Sequence, residues 1–273
     1  TMAPVIYACR AVLMVTLALD PVRNRADHAR LRSHSHPVEA ASRPFLQDFN
    51  GHSLAEQAAV GLTNRFDIKY SLPVKMLPEL LEPHTATHTV LQIADQRVFT
   101  YENTYFDTPV WDLYRQHHNG KLNRYKYRYR HYLETDVGFL EIKVKTNKRR
   151  TLKRRIPWRC DYPIELPDAY PTLVANLYVN YRRITLWNRA TQERLTLDYD
   201  IFYRRLDAET KVALPDIVIA ELKCADHIKR SAFLEQMKVL HYYPQSVSKY
   251  CIGVCVTDDG SLKYNRFKSL MSQ

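Results

Sequence analysis

The chain has 273 residues, 45% of them hydrophobic, a length that allows one large globular domain or two small ones. Its 40 Lys and Arg residues outnumber its 29 Asp and Glu residues, so the formal net charge is +11. With 6 glycines and neither a GxGxxG nor a GxxxxGK(S/T) motif, the sequence excludes a phosphate-binding loop of glycine-rich backbone. Five cysteines without a CxxC pair argue against a disulfide framework or a zinc site and favour a reducing compartment such as the cytoplasm.

The first 61 residues differ in composition from the rest. Residues 3–19 form an apolar run that Arg10 interrupts, and the residues from 20 to 60 are polar. The run is shorter than the roughly 20 residues of a membrane span, and it lacks the basic start and cleavage site of a signal peptide. A signal or anchor segment and a non-native upstream extension both remain open. We expect residues 1–61 to be an N-terminal extension, disordered or non-native.

An ordered domain is predicted over residues 62–257, followed by a C-terminal tail at 258–273. Charged and apolar residues alternate from Arg65 to Tyr70, which predicts a strand because successive side chains point to opposite faces. Pro73 is suited to the first turn of a helix of about ten residues. A strand at 97–107 and a short helix ending near His118 are predicted next.

Residues 121–155 hold most of the excess charge, with 13 Lys and Arg residues against 3 acids. In the stretch 124–130, cations and tyrosines alternate, so that one face of a strand is cationic. A second alternating strand at 139–145 follows turn-forming residues, which predicts a hairpin. A third strand is predicted at 151–157.

The remaining elements are predicted from the same patterns. Residues 168–181 and 229–240 are expected to form helices. Strands are expected at 183–188, 194–204, 216–223 and 247–256.

About eight strands therefore carry charged side chains on one face and Tyr, Ile, Val and Leu on the other. An open sheet with a solvated charged face and a closed barrel with a charged interior both satisfy this pattern. Because the charged faces recur on nearly every strand, we predict an α+β fold: a closed eight-stranded antiparallel β tunnel covered by several helices.

Like charges on neighbouring strands repel, so the cationic face predicts an anionic partner. Nucleic acid, a membrane surface and a chain of phosphates are the candidates. Base stacking needs tyrosines and cations on one exposed face. In the stretch 124–130 they alternate to opposite faces, which argues against nucleic acid.

The motifs resemble, in order, those of the VTC domain, the polyphosphate polymerase branch of the triphosphate tunnel metalloenzymes related to the CYTH proteins. They are RxDxK at 65–69, YFDT at 105–108, KYRYR at 126–130, FLEIKVK at 139–145, LKRR, RLTLD at 194–198, IAELK at 219–223 and SKYC at 248–251. CYTH proteins begin with ExExK, and the departure at 65–69 agrees better with the polymerase branch than with the triphosphatases.

The resemblance implies a basic tunnel that uses Mn²⁺ or Mg²⁺ to transfer the γ-phosphate of ATP onto polyphosphate. An inorganic triphosphatase and a non-catalytic polyphosphate-binding module are the alternatives. ATP and polyphosphate are the expected partners. We expect membrane association only through a separate partner or the N-terminal run, and the sequence does not determine the oligomeric state.

Site residues are assigned from charge and strand face, since Arg suits bidentate phosphate binding and Lys binds as a point charge. The expected catalytic residues are Arg128, Arg130, Lys143 and Glu221. The expected phosphate-binding residues are Lys69, Lys126, Lys145, Lys153, Arg183, Arg194, Lys223 and Lys249. The expected metal ligands are Glu221, Glu141 and Asp198. The alternative for each cation and for Glu221 is an ion pair with an oppositely charged neighbour on the sheet.

Overall fold

The structure is a computed structural model. It describes residues 12–13, 36–59, 66–147, 151–157, 164–165, 173–208, 210–224 and 231–265. Apart from Val12–Leu13, the expectations for the first 35 residues lie outside these ranges. So do residues 168–172 of one predicted helix and 229–230 of another.

Strands dominate the described residues. They are β1 (Val12–Leu13), β2 (Asn50–His52), β3 (Phe66–Pro73), β4 (Thr89–Leu91), β5 (Phe99–Asp107), β6 (Arg124–Tyr132), β7 (Val137–Lys145), β8 (Thr151–Pro157), β9 (Ile164–Glu165), β10 (Val174–Asn188), β11 (Glu193–Arg205), β12 (Lys211–Leu214) and β13 (Ile217–Cys224). The helices are α1 (Pro37–Asp48), α2 (Leu54–Ala59), α3 (Leu77–Leu81), α4 (Asp112–His118), α5 (Ala232–Val239) and α6 (Lys249–Thr257). Two 3₁₀ turns, Val74–Met76 and Glu82–His84, flank α3.

The fold is α+β and is built on one 11-stranded sheet. Eight strands form its continuous path, in the order β3-β13-β11-β10-β5-β6-β7-β8, and every pairing along this path is antiparallel. Over the described residues β3 and β8 are not paired with each other. The predicted closure into a barrel is therefore wrong at the level of hydrogen bonding, while the antiparallel sheet and its covering helices are confirmed.

Helices cover the convex face of the sheet in two groups. The first packs α1, α3 and α5 against β3, β10, β11 and β13, with Leu77, Leu80 and Phe233 fully buried. The second packs α4 and α6 against the middle of the sheet through residues such as Tyr114 and Cys251. With apolar side chains committed to this face, the polar side chains of the strands are left on the concave face.

Helix α1 belongs to the segment that we assigned to the extension, and it packs on the sheet. Glu39 Oε1 accepts hydrogen bonds from Arg182 Nη1 at 2.5 Å and from the Tyr199 hydroxyl at 2.6 Å. Phe49, just after the helix, is 2% exposed within the first hydrophobic group. Arg97 Nη1 donates to the carbonyl oxygens of Leu46 and of Phe49, which satisfies acceptors at the end of the helix.

Two predicted elements are of the wrong type. Over its described part, the predicted helix at 168–181 is the start of β10. This central strand is buried on both faces, and continuous burial hides the alternation of a strand. The predicted strand at 247–256 is α6, which begins where the Ser248 side chain accepts from the Cys251 backbone N–H. Its apolar residues are buried all round and show no helical period.

Candidate anion-binding site

The concave face of the sheet surrounds a cavity of about 950 Å³. Side chains from β3, β5, β6, β7, β8, β10, β11 and β13 line it, together with residues 245–249 before and at the start of α6. Lys69 of the edge strand β3 and Lys153 of the edge strand β8 line the same cavity. The sheet is therefore curled, so that its two edge strands lie on opposite sides of this cavity.

Cations dominate this cavity, with 13 Lys and Arg side chains against 4 carboxylates in its lining. The cations are Lys69, Arg124, Lys126, Arg128, Arg130, Lys143, Lys145, Lys153, Arg155, Arg183, Arg194, Lys223 and Lys249. The carboxylates are Asp67, Glu134, Glu141 and Glu221. Low-dielectric walls strengthen the field of such a set, so the cavity attracts anions.

Glu141 holds three of these cations together on β6, β7 and β8. Its Oε2 accepts from Arg128 Nε at 2.6 Å, and its Oε1 lies 2.6 Å from Lys153 Nζ and 2.9 Å from Arg155 Nη2. The antiparallel register places Arg128 and Arg155 directly opposite Glu141. Burial alone would raise the pKa of Glu141, but Arg128, Arg130 and Lys153 hold it far below its usual range.

Glu221 forms a second such group on β13 and β3. Its Oε1 lies 2.6 Å from Lys223 Nζ and 3.5 Å from Lys69 Nζ, and Lys223 also approaches Asp67 at 3.5 Å. Burial alone would raise the pKa of Glu221, but Lys69 and Lys223 hold it well below its usual range. The Glu221 side chain remains 15% exposed and lines the cavity.

Asp198 forms the third group and lies behind the cavity wall. It is fully buried, accepts from Arg183 at 2.5 and 2.7 Å, and is paired with Lys249. Burial alone would raise the pKa of Asp198, but the two cations hold it below its usual value. Asp198 therefore positions Arg183 and Lys249, whose side chains do line the cavity.

Aromatic rings and amides, rather than acids, orient Arg130. Its Nε donates to Asn103 Oδ1 at 2.9 Å and its Nη2 to the Tyr181 hydroxyl at 2.8 Å. The guanidinium carbons of Arg130 and Arg183 lie 5.1 and 4.6 Å from the centre of the Tyr101 ring. These contacts fix Arg130 without neutralising it.

Lys126 and Lys143 lie opposite each other on β6 and β7 and have no carboxylate partner among the described residues. Lys126 Nζ donates to the Ser248 hydroxyl at 2.9 Å. The Arg128 charge, together with burial, holds the pKa of Lys143 well below its usual range. Burial similarly lowers the pKa of Lys153 to about 8, against the opposing effect of Glu141. For Lys143 the lowered pKa indicates crowding by a neighbouring positive charge, whereas for Lys153 it reflects burial.

The carboxylates of the cavity suit a metal ion only in part. Among the described residues, no three His, Cys, Asp or Glu side chains stand close enough together to hold a metal ion. Glu141 is fully buried by its cation partners, and Asp198 lies behind the wall. Glu221 retains exposure to the cavity, and its oxygen chemistry suits Mg²⁺ or Mn²⁺ if other ligands come from phosphate and water.

The structure brings nearly all of the predicted site residues to one cavity. Every predicted catalytic and phosphate-binding side chain lines it, as do Glu141 and Glu221, while Asp198 does not. Ion pairs, the alternative reading, are also present for Glu221 and for six of the predicted cations. These cations are Lys69, Arg128, Lys153, Arg183, Lys223 and Lys249. Whether these residues act in catalysis or metal binding stays a prediction.

Sequence reasoning did not select several lining residues. Arg124 and Arg155 share the alternation of Lys126 and Lys153, so strand parity could have identified them. Tyr101 and Tyr181 contradict the expectation that tyrosines point away from the cations, because on β5 and β10 they face the cavity. Within segment 245–249 only Lys249 was predicted as a site residue, and the other lining residues were missed because their position depends on the tertiary packing of α6.

A family model described as the VTC domain matches residues 64–168 and 164–257. No curated protein was found to match the sequence.

Three solved structures resemble the chain at low identity. A protein from Pyrococcus horikoshii OT3 is 13% identical, with 70% of this chain and 98% of that chain covered and a TM-score of 0.41. A putative adenylyl cyclase from Hippeastrum, described as having a dominant triphosphatase activity, is 14% identical, with coverages of 71% and 97% and a TM-score of 0.41. A putative adenylate cyclase from Vibrio parahaemolyticus is 13% identical, with coverages of 77% and 100% and a TM-score of 0.39.

Proposed function

Because the chain belongs to the VTC domain family, we propose that it is a metal-dependent polyphosphate polymerase that transfers the γ-phosphate of ATP onto a polyphosphate chain. The observation that carries this proposal is the convergence of 13 Lys and Arg side chains on one cavity. Phosphoryl transfer requires mainly positioning and charge neutralisation from a protein. In this proposal the curled sheet acts as a channel for polyphosphate, although over the described residues its edge strands β3 and β8 are not paired with each other.

The proposed step forms one bond and breaks one bond. A terminal phosphate oxygen of the chain attacks the γ-phosphorus of ATP, the bond from that phosphorus to the bridging β–γ oxygen breaks, and ADP leaves. The products are ADP and a chain one phosphate longer. The attacking oxygen is already an anion, so no side chain has to remove a proton from it.

Arg128 and Arg130 are proposed to bind the reacting phosphates. They stand two residues apart on the same face of β6 and are held by Glu141 and by Asn103. Because each guanidinium is already fixed by these contacts, it loses little side-chain entropy when the substrate binds. Lys143, with its depressed pKa and no carboxylate partner among the described residues, is the proposed third contact.

Glu221 would hold the metal together with phosphate oxygens of the substrate. When bound, the metal would neutralise charge on the phosphates. The engagement of Glu141 and Asp198 with buried cations favours structural roles for both. Glu221→Gln is therefore expected to lower turnover more than it lowers affinity for polyphosphate.

A hydrolase would also need a group that orients water. The lining carboxylates of the described residues already contact cations or, for Glu134, accept the Thr100 backbone N–H at 2.6 Å. Because these carboxylates are already engaged, they are poorly placed to orient a water molecule. The arrangement therefore favours transfer to a phosphate acceptor over transfer to water.

The test is a product assay with ATP and Mn²⁺ on the full chain. The wild type should form a phosphate polymer and ADP, and Arg128→Ala should abolish or strongly reduce the polymer. Arg154→Ala is the matched control, since this exposed arginine of β8 is outside the cavity lining. Release of orthophosphate alone would identify a triphosphatase, and tight binding without turnover would identify a binding module.

A further inference from the structure

Ser248 places a hydroxyl group in the cavity wall, at the point where segment 245–249 joins α6. Its Oγ lies 2.9 Å from Lys126 Nζ of β6 and accepts from the Cys251 backbone N–H at 3.4 Å. Ser248 is 9% exposed, so its contact with Lys126 is largely shielded from water. A serine and a lysine are therefore paired inside the anion-binding cavity.

Two hydrogen bonds anchor segment 245–249 to β3. Gln245 N–H donates to the Lys69 carbonyl oxygen at 2.7 Å, and Lys69 Nζ donates to the Val247 carbonyl oxygen at 3.3 Å. Because the residues on its N-terminal side are held by β3 and those on its C-terminal side by α6, Ser248 has a defined place in the wall.

A second set of contacts links the start of α6 to the strand that carries Arg128. Arg128 Nη1 donates to the Tyr105 hydroxyl at 3.2 Å, and the Tyr105 ring stacks on Tyr250 with the ring centroids 5.0 Å apart. Tyr250 follows Ser248 by two residues. Lys126 precedes Arg128 by two residues on the same face of β6. These links bring the Ser248 hydroxyl to the part of the cavity in which Arg128 is proposed to bind phosphate.

Lys126 has the environment of a lysine that can give up its proton. It has no carboxylate partner among the residues that the structure describes. Burial holds the pKa of Lys126 below its usual value, and the charges of Lys69 and Arg124 act in the same direction. The charged and titratable groups around it are Lys69 of β3, Tyr105 of β5, Arg124 of β6, Lys143 of β7 and Cys251 of α6. A buried lysine of this kind can act as a general base.

A serine hydroxyl becomes a nucleophile when an adjacent base takes its proton. Pairs of serine and lysine are one known form of this arrangement. The terminal oxygen of polyphosphate is already an anion and needs no base. The pairing of Ser248 with Lys126 is therefore not explained by transfer to polyphosphate, and it indicates a second phosphate acceptor in the same cavity.

We propose that the protein phosphorylates its own Ser248, with ATP as the phosphoryl donor and Lys126 as the base, a step that rests on the binding of ATP under the proposed function. Ser248 Oγ forms a bond to the γ-phosphorus, and the bond from that phosphorus to the bridging β–γ oxygen breaks. ADP leaves with the electron pair of that bond, and the hydroxyl proton passes to Lys126 Nζ. The products are ADP, phosphoserine and a positively charged lysine.

Phosphoserine at this position is an anion inside the substrate cavity. Its charge is about −1.5 to −2 near pH 7, and the charged Lys126 beside it can pair with it. A triphosphate that enters the cavity then meets a like charge and one cation fewer. Phosphorylation of Ser248 therefore inhibits the binding of phosphate substrates.

The test is mass spectrometry of the full chain after incubation with ATP and Mn²⁺ and after denaturation, which removes bound phosphates. The wild type should gain a phosphoryl group on Ser248, and Ser248→Ala should gain none. Ser246→Ala is the matched control, since Ser246 lines the same cavity two residues away, and this variant should be modified like the wild type. Circular dichroism checks that each variant is folded.

The role of Lys126 has its own test. Lys126→Arg keeps the positive charge but does not release its proton, so its rate of self-phosphorylation should be about a hundredfold lower. The wild-type rate should rise with pH, because only the neutral lysine can accept the proton, and Lys126→Arg should lack this rise. Triphosphate should bind the phosphorylated wild type about tenfold more weakly than the untreated protein.

A wild type that forms polyphosphate while Ser248 stays unmodified would overturn this inference and leave the proposed function standing. Equal rates in the wild type and Lys126→Arg would overturn the assignment of the base. Modified Ser248 without any polyphosphate would support the inference and contradict the polymerase. A chain that forms neither product would overturn both.

Discussion

Glu141 is a single buried acid between three cations, and its charge is needed to hold them. Removing one partner of a buried ion pair leaves the others uncompensated. Glu141→Gln should therefore lower the free energy of unfolding by about 3 kcal/mol, measured by urea denaturation. Saturating triphosphate should restore more stability to this variant than to the wild type, because bound phosphate replaces the lost charge.

The control for this variant is Glu134→Gln. Glu134 is an exposed lining acid whose contact with the Thr100 N–H an amide can keep. If Glu141→Gln were as stable as the wild type, the structural role assigned to Glu141 would be wrong.

Lysines with depressed pKa values should couple phosphate binding to proton uptake. Lys153 has a pKa of about 8, and bound phosphate favours its charged form. The protonated form binds better, so affinity for polyphosphate should fall as pH rises from about 7 to about 9. Lys143 shifts in the same direction and adds to the effect.

Titration calorimetry in two buffers of different ionisation enthalpy measures this uptake. Lys153→Gln should reduce the number of protons taken up near pH 8, and Lys238→Gln should not. Equal proton uptake in the wild type and Lys153→Gln would contradict this assignment.

At the scale of elements, α1 lies before the family match and packs on the sheet, so we expect it to contribute to the stability of the domain. Phe49→Ala removes a side chain that is 2% exposed and should cost about 3 kcal/mol of unfolding free energy. Removal of residues 1–61 should destabilise the remaining chain further, since it exposes the partners of α1. A truncated chain with an unchanged melting temperature would show that the domain begins near residue 62, as the composition suggested.

Sequence patterns predicted a strand well where one of its faces carries charged side chains and the other apolar ones. The hairpin of β6 and β7 was predicted because cations and apolar residues alternate, and the structure confirms both strands. Patterns failed at β10 and α6, which are buried on all sides and so carry no period. The alternation also predicted on which face of β7 Glu141 lies. It did not predict which side chains contact Glu141, because the cross-strand register with Arg128 is a property of the folded sheet.

For the whole molecule, the curl of the sheet turns charged faces on separate strands into one cavity. A flat sheet of the same sequence would spread its cations over a surface, where salt screens them. In the structure, side chains as distant in sequence as Lys69 and Lys249 line the same space. Within the described residues, no helix has the length and apolar content to cross a membrane.

The most direct test of this convergence is a crystal structure of the chain with bound inorganic triphosphate. We predict phosphorus atoms inside the cavity, within hydrogen-bonding reach of Arg128, Arg130 and Lys143. Triphosphate bound instead on the outer surface of β8, around Arg154, with the cavity holding only water, would contradict the account.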